Sequence, residues 1–148
     1  MAPNRWTEQF FLDEATAFSA GHRPCFECRR EDAVRFKRHW INGNPSYGFD
    51  QRTSINEIDK IIHAERIGSS GEKVTYEAFL ADLPTGSFVV HEGIPHLLRE
   101  GLLVPWSAFG YGPGIPRPEN AQAVVLTPRS VVNAFKSGYE PKTRSVSQ

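Results

Sequence analysis

The chain has 148 residues, 17 basic and 17 acidic side chains and no net charge at neutral pH. That length fits one domain with a real core and leaves little room for two. The balanced charge excludes a partner gripped by overall field, so a nucleic acid would have to be held by a local patch. Only two cysteines are present, both in one Cys-x-x-Cys, which excludes a disulfide framework. MAPNRWTEQFF lacks the apolar core of a secretory leader, and no apolar run approaches the ~20 residues of a bilayer span. These features predict a cytoplasmic protein with no membrane partner.

In chain order, Trp6 to Leu12 is aromatic-rich and reads as a short strand. The chain opens directly on it, which leaves open whether Met1 is the natural start. Asp13 reads as the N-cap of a helix from Glu14 to Ala20, stopped by Gly21. The turn His22-Arg-Pro-Cys-Phe-Glu-Cys28 follows. The spacing of Ala33, Phe36 and Trp40 predicts a helix over 29–41, and the Gly/Asn/Pro-rich 42–51 a loop. Ser54-x-x-Glu57 reads as a capping box opening a helix to about Arg66, with Ile55, Ile58, Ile61 and Ile62 as its stripe. After a linker turn at 69–72, Thr75 is expected to cap a short helix, Tyr76 to Leu83. The period then changes to that of strands. Ser87–His91, Pro95–Arg99 and Leu102–Trp106, separated by Glu-Gly turns, predict a β-meander. Residues 108–120 form a Gly/Pro loop carrying Tyr111, and Ala121–Leu126 a last strand. Thr127-Pro128 starts a helix that stops at Gly138, and the polar tail from Pro141 is expected to fray.

The predicted fold is α+β. A helical zinc-knuckle half (1–68) packs on a small antiparallel meander half with a C-terminal helix (69–140), followed by the tail (141–148), all in one domain.

The chemistry concentrates at Cys25 and Cys28. Two thiolates at the start of a helix chelate one ion, and the helix N-terminus favours their charge. His22, three residues earlier, can reach the same ion. A closed site needs one more ligand, for which His63 and then His39 are the candidates; His63 also reads as a hydrogen-bonded packing histidine. His91 and His96 sit far along the chain. A thioredoxin-like redox pair is the competing reading of the cysteines, but Phe26 and Glu27 between them and Pro24 before them fit it poorly.

Phe10-Phe-Leu-Asp-Glu-Ala-Thr-Ala-Phe-Ser-Ala-Gly-His-Arg-Pro-Cys-Phe-Glu-Cys28 resembles the second half of the zinc-binding domain of Ada-type alkylation-repair proteins. The shared pattern is a Phe-Phe strand, an Ala-rich helix and Gly-x-Arg-Pro-Cys-x-x-Cys. The resemblance implies a zinc scaffold and contact with nucleic acid. That family binds zinc through cysteines alone, one of them a methyl acceptor upstream of the strand. This sequence has no upstream cysteine, so histidines must replace the missing ligands and methyl transfer is not implied. A second resemblance is to zinc deaminases, through His63-Ala-Glu65 and Pro24-Cys-Phe-Glu-Cys28 in reversed order. It implies a hydrolytic zinc held by Cys25, Cys28 and His63, with Glu65 moving protons for a small-molecule substrate.

Between Gly21 and Trp40 lie six basic residues (Arg23, Arg29, Arg30, Arg35, Lys37, Arg38) and three acidic ones (Glu27, Glu31, Asp32). With Phe26, Phe36 and Trp40 interleaved they read either as a phosphate-tracking face or as a solvated helix with its aromatics in the core. Trp106, Phe109 and Tyr111 among glycines form either a ligand-binding loop or a cap on the sheet.

The leading expectation is a mainly structural zinc site of His22, Cys25, Cys28 and His63, adjoining a nucleic-acid surface that includes Arg23, Arg29, Arg30, Trp106 and Tyr111. The alternative is a zinc hydrolase or deaminase-like enzyme using Glu65.

Overall fold

A computed structural model describes residues 13–143, apart from Cys28, Ser69 and Glu119. The strand expected at Trp6 to Leu12 lies outside the described residues. Four helices, α1 (Glu14–Ser19), α2 (Arg30–Gly43), α3 (Ile55–Arg66) and α4 (Arg129–Lys136), accompany seven strands among these residues. The strands are β1 (Tyr76–Phe79), β2 (Phe88–His91), β3 (Ile94–Arg99), β4 (Leu102–Ser107), β5 (Gly110–Tyr111), β6 (Ile115–Pro116) and β7 (Gln122–Val125). All pair antiparallel, in the order β1-β7-β2-β3-β4-β5, with β6 against β4. The fold is α+β, and among the described residues no helix is long and apolar enough to cross a membrane.

Asp13 caps α1 as expected: its Oδ1 accepts from the Thr16 amide at 2.9 Å and the Thr16 hydroxyl accepts from the Asp13 amide at 3.1 Å, a reciprocal box. Ser54 accepts from the Asn56 amide, so it caps α3 through the second helical residue and not through Glu57. Phe36 and Trp40 of α2, Ile58 and Ile62 of α3, and Phe18 of α1 meet Val131, Ala134 and Phe135 of α4 in one core. Val132, on the other side of α4, joins Leu98, Leu103 and Val125 in the sheet core. Ala15 of α1 likewise packs with Phe88, Leu97 and Val104. Helices α1 and α4 therefore tie the two layers together.

Four expectations are corrected. Tyr76–Leu83 is β1 followed by a single 3-10 turn, Leu80–Asp82. Its burial alternates (Tyr76 and Ala78 inward, Glu77 and Phe79 out), and β7 offers it a ladder, Tyr76 opposite Val125 through Phe79 opposite Gln122; pairing outweighs helix propensity. The 108–120 loop holds β5 and β6, both paired with β4, so the sheet is larger than a meander. Thr127 does not cap α4; its hydroxyl accepts from the Phe88 amide at 2.9 Å. The tail is docked at its start: the Lys142 carbonyl accepts from the Glu14 and Ala15 amides.

The cap of α4 comes from α3. Both Glu65 carboxylate oxygens accept from the Ser130 amide at 3.1 Å, and the Ser130 hydroxyl donates to Oε1 at 2.5 Å while accepting from the Trp40 indole at 2.9 Å. An anion at a helix N-terminus satisfies orphan amides and the helix dipole together. Burial nevertheless raises the Glu65 carboxyl above its ordinary value, against the pull of Ser130 and Arg129. A carboxyl whose folded value is raised contributes stability that is fully present below the unfolded value and fades as pH rises through the folded one. Glu65→Gln keeps an accepting oxygen and cannot ionise. Relative to wild type it should gain stability as pH rises above the ordinary glutamate value of about 4, read from urea midpoints on either side of it.

Candidate metal centre

Gly21 ends α1 with φ +86°, and the His22 amide reaches back to the Ala17 carbonyl at 2.9 Å, a glycine-dependent reversal. A Cβ at position 21 would stand 2.7 Å from Cδ of Arg66; the reversal is pressed against the end of α3. Arg23 fixes it there. Its Nε and Nη2 donate to the two carboxylate oxygens of Asp59, each at 2.9 Å, and Nη1 donates to the Pro24 carbonyl at 2.8 Å. This is a bidentate clamp between the segment leading to the cysteines and α3.

Asp59, His63 and Arg66 follow one another at helix spacings that share a face. With Ala20, Gly21, His22 and Arg23 they line a cavity of about 360 Å³. The structure thus brings His22 and His63, the two imidazoles expected at the zinc, to the walls of one cavity. Burial, and then the charge of Arg66, pull the His22 imidazole below its ordinary value. That keeps it neutral, the form that binds metal.

Cys25 is exposed on the turn before α2. The Glu27 amide approaches its sulfur at 3.4 Å, and the Arg29 amide closes the turn on the Cys25 carbonyl at 2.8 Å. An amide aimed at sulfur favours the thiolate. Cys28, the other expected ligand, lies outside the described residues. Among the described residues, no three His, Cys, Asp or Glu side chains stand together as a metal-holding set.

The remaining candidates are placed elsewhere. Glu65 does not line the cavity; residues two apart on a helix point to different sides, so His63 faces the cavity while Glu65 holds α4. His39 lies against the helix end at Gly138, its Nδ1 at 3.1 Å from the Ser137 hydroxyl. His91 and His96 meet edge to face on β2 and β3, ring centroids 5.3 Å apart. Arg29 pairs with Glu14 and with Asp32, and the hydrogen bond from Arg29, followed by that from Arg35, brings Asp32 down to about 2. Arg35 lies 4.4 Å over the Tyr139 ring. Arg30 stays exposed on the outer face of α2 with Val34 and Arg38.

Tyr111 is buried and donates its hydroxyl to Asp13 at 2.8 Å; burial and then the Asp13 charge raise its phenol. It therefore braces α1 on the sheet and is not a loop ring offered to a ligand. Trp106 is half-buried on β4, and only Phe109 of the three rings is fully displayed, 94% exposed.

Sequence reasoning missed the Arg23–Asp59 clamp. Its one available signal was Asp59 and His63 four residues apart, which puts a carboxylate beside the second imidazole. Compared with known proteins, the chain matches no protein-family model, no curated protein and no solved structure.

Proposed function

We propose that the chain is a zinc-organised α+β module in which Cys25, Cys28, His22 and His63 close one tetrahedral site. The observation that carries this reading is the meeting of His22 and His63 in one cavity, on a segment that leads within three residues to Cys25. The donor set suits zinc: two thiolates and two neutral imidazoles give an uncharged complex with no open position. The metal would tie the turn before α2 to the end of α3, two segments otherwise joined at the surface by the Arg23–Asp59 clamp. Its role is architectural. Under this reading the chain's own residues prepare the site. Arg23 ties the His22 segment to α3 through Asp59, burial and then Arg66 lower the His22 imidazole, and the Glu27 amide steadies the Cys25 sulfur.

Zinc affinity of single variants tests the set. His63→Ala and His22→Ala should each weaken zinc by about 10-fold to 100-fold or more, and His39→Ala should leave it unchanged, measured by competition with a chromophoric chelator. Equal affinity in His63→Ala and His39→Ala would remove His63 from the site. The hydrolase reading is not adopted, because Glu65 is committed to the cap of α4.

A further inference from the structure

The cavity that His22 and His63 line carries, at its Arg66 wall, positive charge that its walls do not cancel. Arg23 and Asp59 neutralise one another. Among the described residues no carboxylate lies within ion-pair distance of Arg66 or of Lys73. Lys73 stands near Arg66, and its ammonium donates to the Ser19 carbonyl at 3.0 Å and reaches that of Leu126 at 3.5 Å. Burial, and then the charge of Arg66, bring the Lys73 ammonium down to about 8. Two neighbouring cations without counter-ions, one of them a planar guanidinium on a cavity wall, suit a doubly charged oxyanion better than a single carboxylate. The cavity, about 360 Å³, is at the small end of ligand-sized sites.

We infer that this cavity binds a phosphate group, with Arg66 as its anchoring donor and Lys73, near Arg66, supplying a second positive charge. The inference goes beyond the zinc reading and does not require it, because neither Arg66 nor Lys73 is a proposed ligand. The phosphate could belong to a free phosphate ester or to a nucleic-acid backbone; the chemistry of recognition is shared.

The test is a calorimetric titration of inorganic phosphate, and in parallel of a short single-stranded oligonucleotide without terminal phosphates, into the full chain with its zinc content measured on the same sample. Wild type should take up one phosphate saturably at millimolar concentration. Arg66→Met keeps the aliphatic stem that packs on Gly21 and should bind about 10-fold to 100-fold more weakly. Arg66→Lys should fall between, and Lys136→Met on the exposed side of α4 should match wild type. Melting curves confirm that each variant is folded. Binding of phosphate but not oligonucleotide assigns a free ester; tighter oligonucleotide binding that phosphate displaces assigns a backbone. Absence of phosphate binding, or binding unchanged in both folded Arg66 variants, overturns the inference. A zinc-loaded protein that ignores phosphate leaves the zinc reading standing. A zinc-free protein that binds phosphate through Arg66 does the reverse.

Discussion

Cys25→Ser should release zinc and lower the melting midpoint on the order of 10 °C, and a strong chelator should do the same to the wild-type protein. Structural zinc in small domains contributes roughly 10–16 kcal/mol of apparent binding energy, comparable with the whole stability of a domain. The full amount will not appear as lost stability here. Helix α2 has its own anchors, with Phe36 and Trp40 fully buried against α4, and α1 is held by Asp13, Tyr111 and the Lys142 carbonyl. What loses support is the segment between them, which the described residues hold through the Arg23 clamp, the Arg29 pairs with Glu14 and Asp32 and short backbone bonds. Hydrogen exchange should therefore quicken first at residues 21–29 and last in β2, β3 and β4. A chelator that leaves the midpoint unmoved would show that no metal supports this region.

Glu14→Ala is expected to cost about 2–3 kcal/mol, seen as a lower urea midpoint without a change in slope. Glu14 is buried and serves three partners: the Tyr139 hydroxyl donates to Oε1 at 2.9 Å, the Lys142 amide donates to the same oxygen at 3.1 Å, and the Arg29 guanidinium pairs with Oε2. Breaking a buried charge pair from one side typically costs ~3–5 kcal/mol. The figure is lower here because the Arg29 side chain is 38% exposed and also holds Asp32, so it can rehydrate. The Tyr139 hydroxyl cannot, since the residue is 1% exposed. Its orphaned donor is the larger part of the penalty. Tyr139→Phe removes that donor, leaves Glu14 with Arg29 and should cost about 1 kcal/mol. A Glu14→Ala protein within ~0.5 kcal/mol of wild type would mean the network is not formed in solution.

Much of this fold can be read from local signals. Asp13, Gly21, Ser54 and Gly138 mark helix ends through side-chain caps and left-handed turns, and the Glu-Gly pairs at 92–93 and 100–101 mark the β-meander. Those features act over a few residues and so are visible in a few residues. Tyr76–Leu83 was misread because the alternation that makes it β1 is only four residues long and its ladder partner, β7, lies far along the chain. The docking of the tail depends on Lys142 reaching Glu14, a contact no local pattern announces. At the site, Cys-x-x-Cys and His22 are legible from spacing alone. His63 is a candidate from its residue type, its place on α3 off the isoleucine stripe and its motif with Glu65. What makes it a neighbour of His22 is the folding of α3 back onto Gly21, secured by Arg23 and Asp59. Glu65 shows the converse. Its motif with His63 is intact in sequence, yet the helix turns the two side chains apart and gives the carboxylate to Ser130.

The central claim is the ligand set, and K-edge X-ray absorption on the purified zinc-loaded protein tests it most directly. The account predicts a shell of two sulfur and two imidazole nitrogen neighbours, reduced by one nitrogen-type scatterer in His63→Ala. A protein without bound zinc, or a shell that lacks sulfur or holds a water oxygen in place of an imidazole, would contradict it.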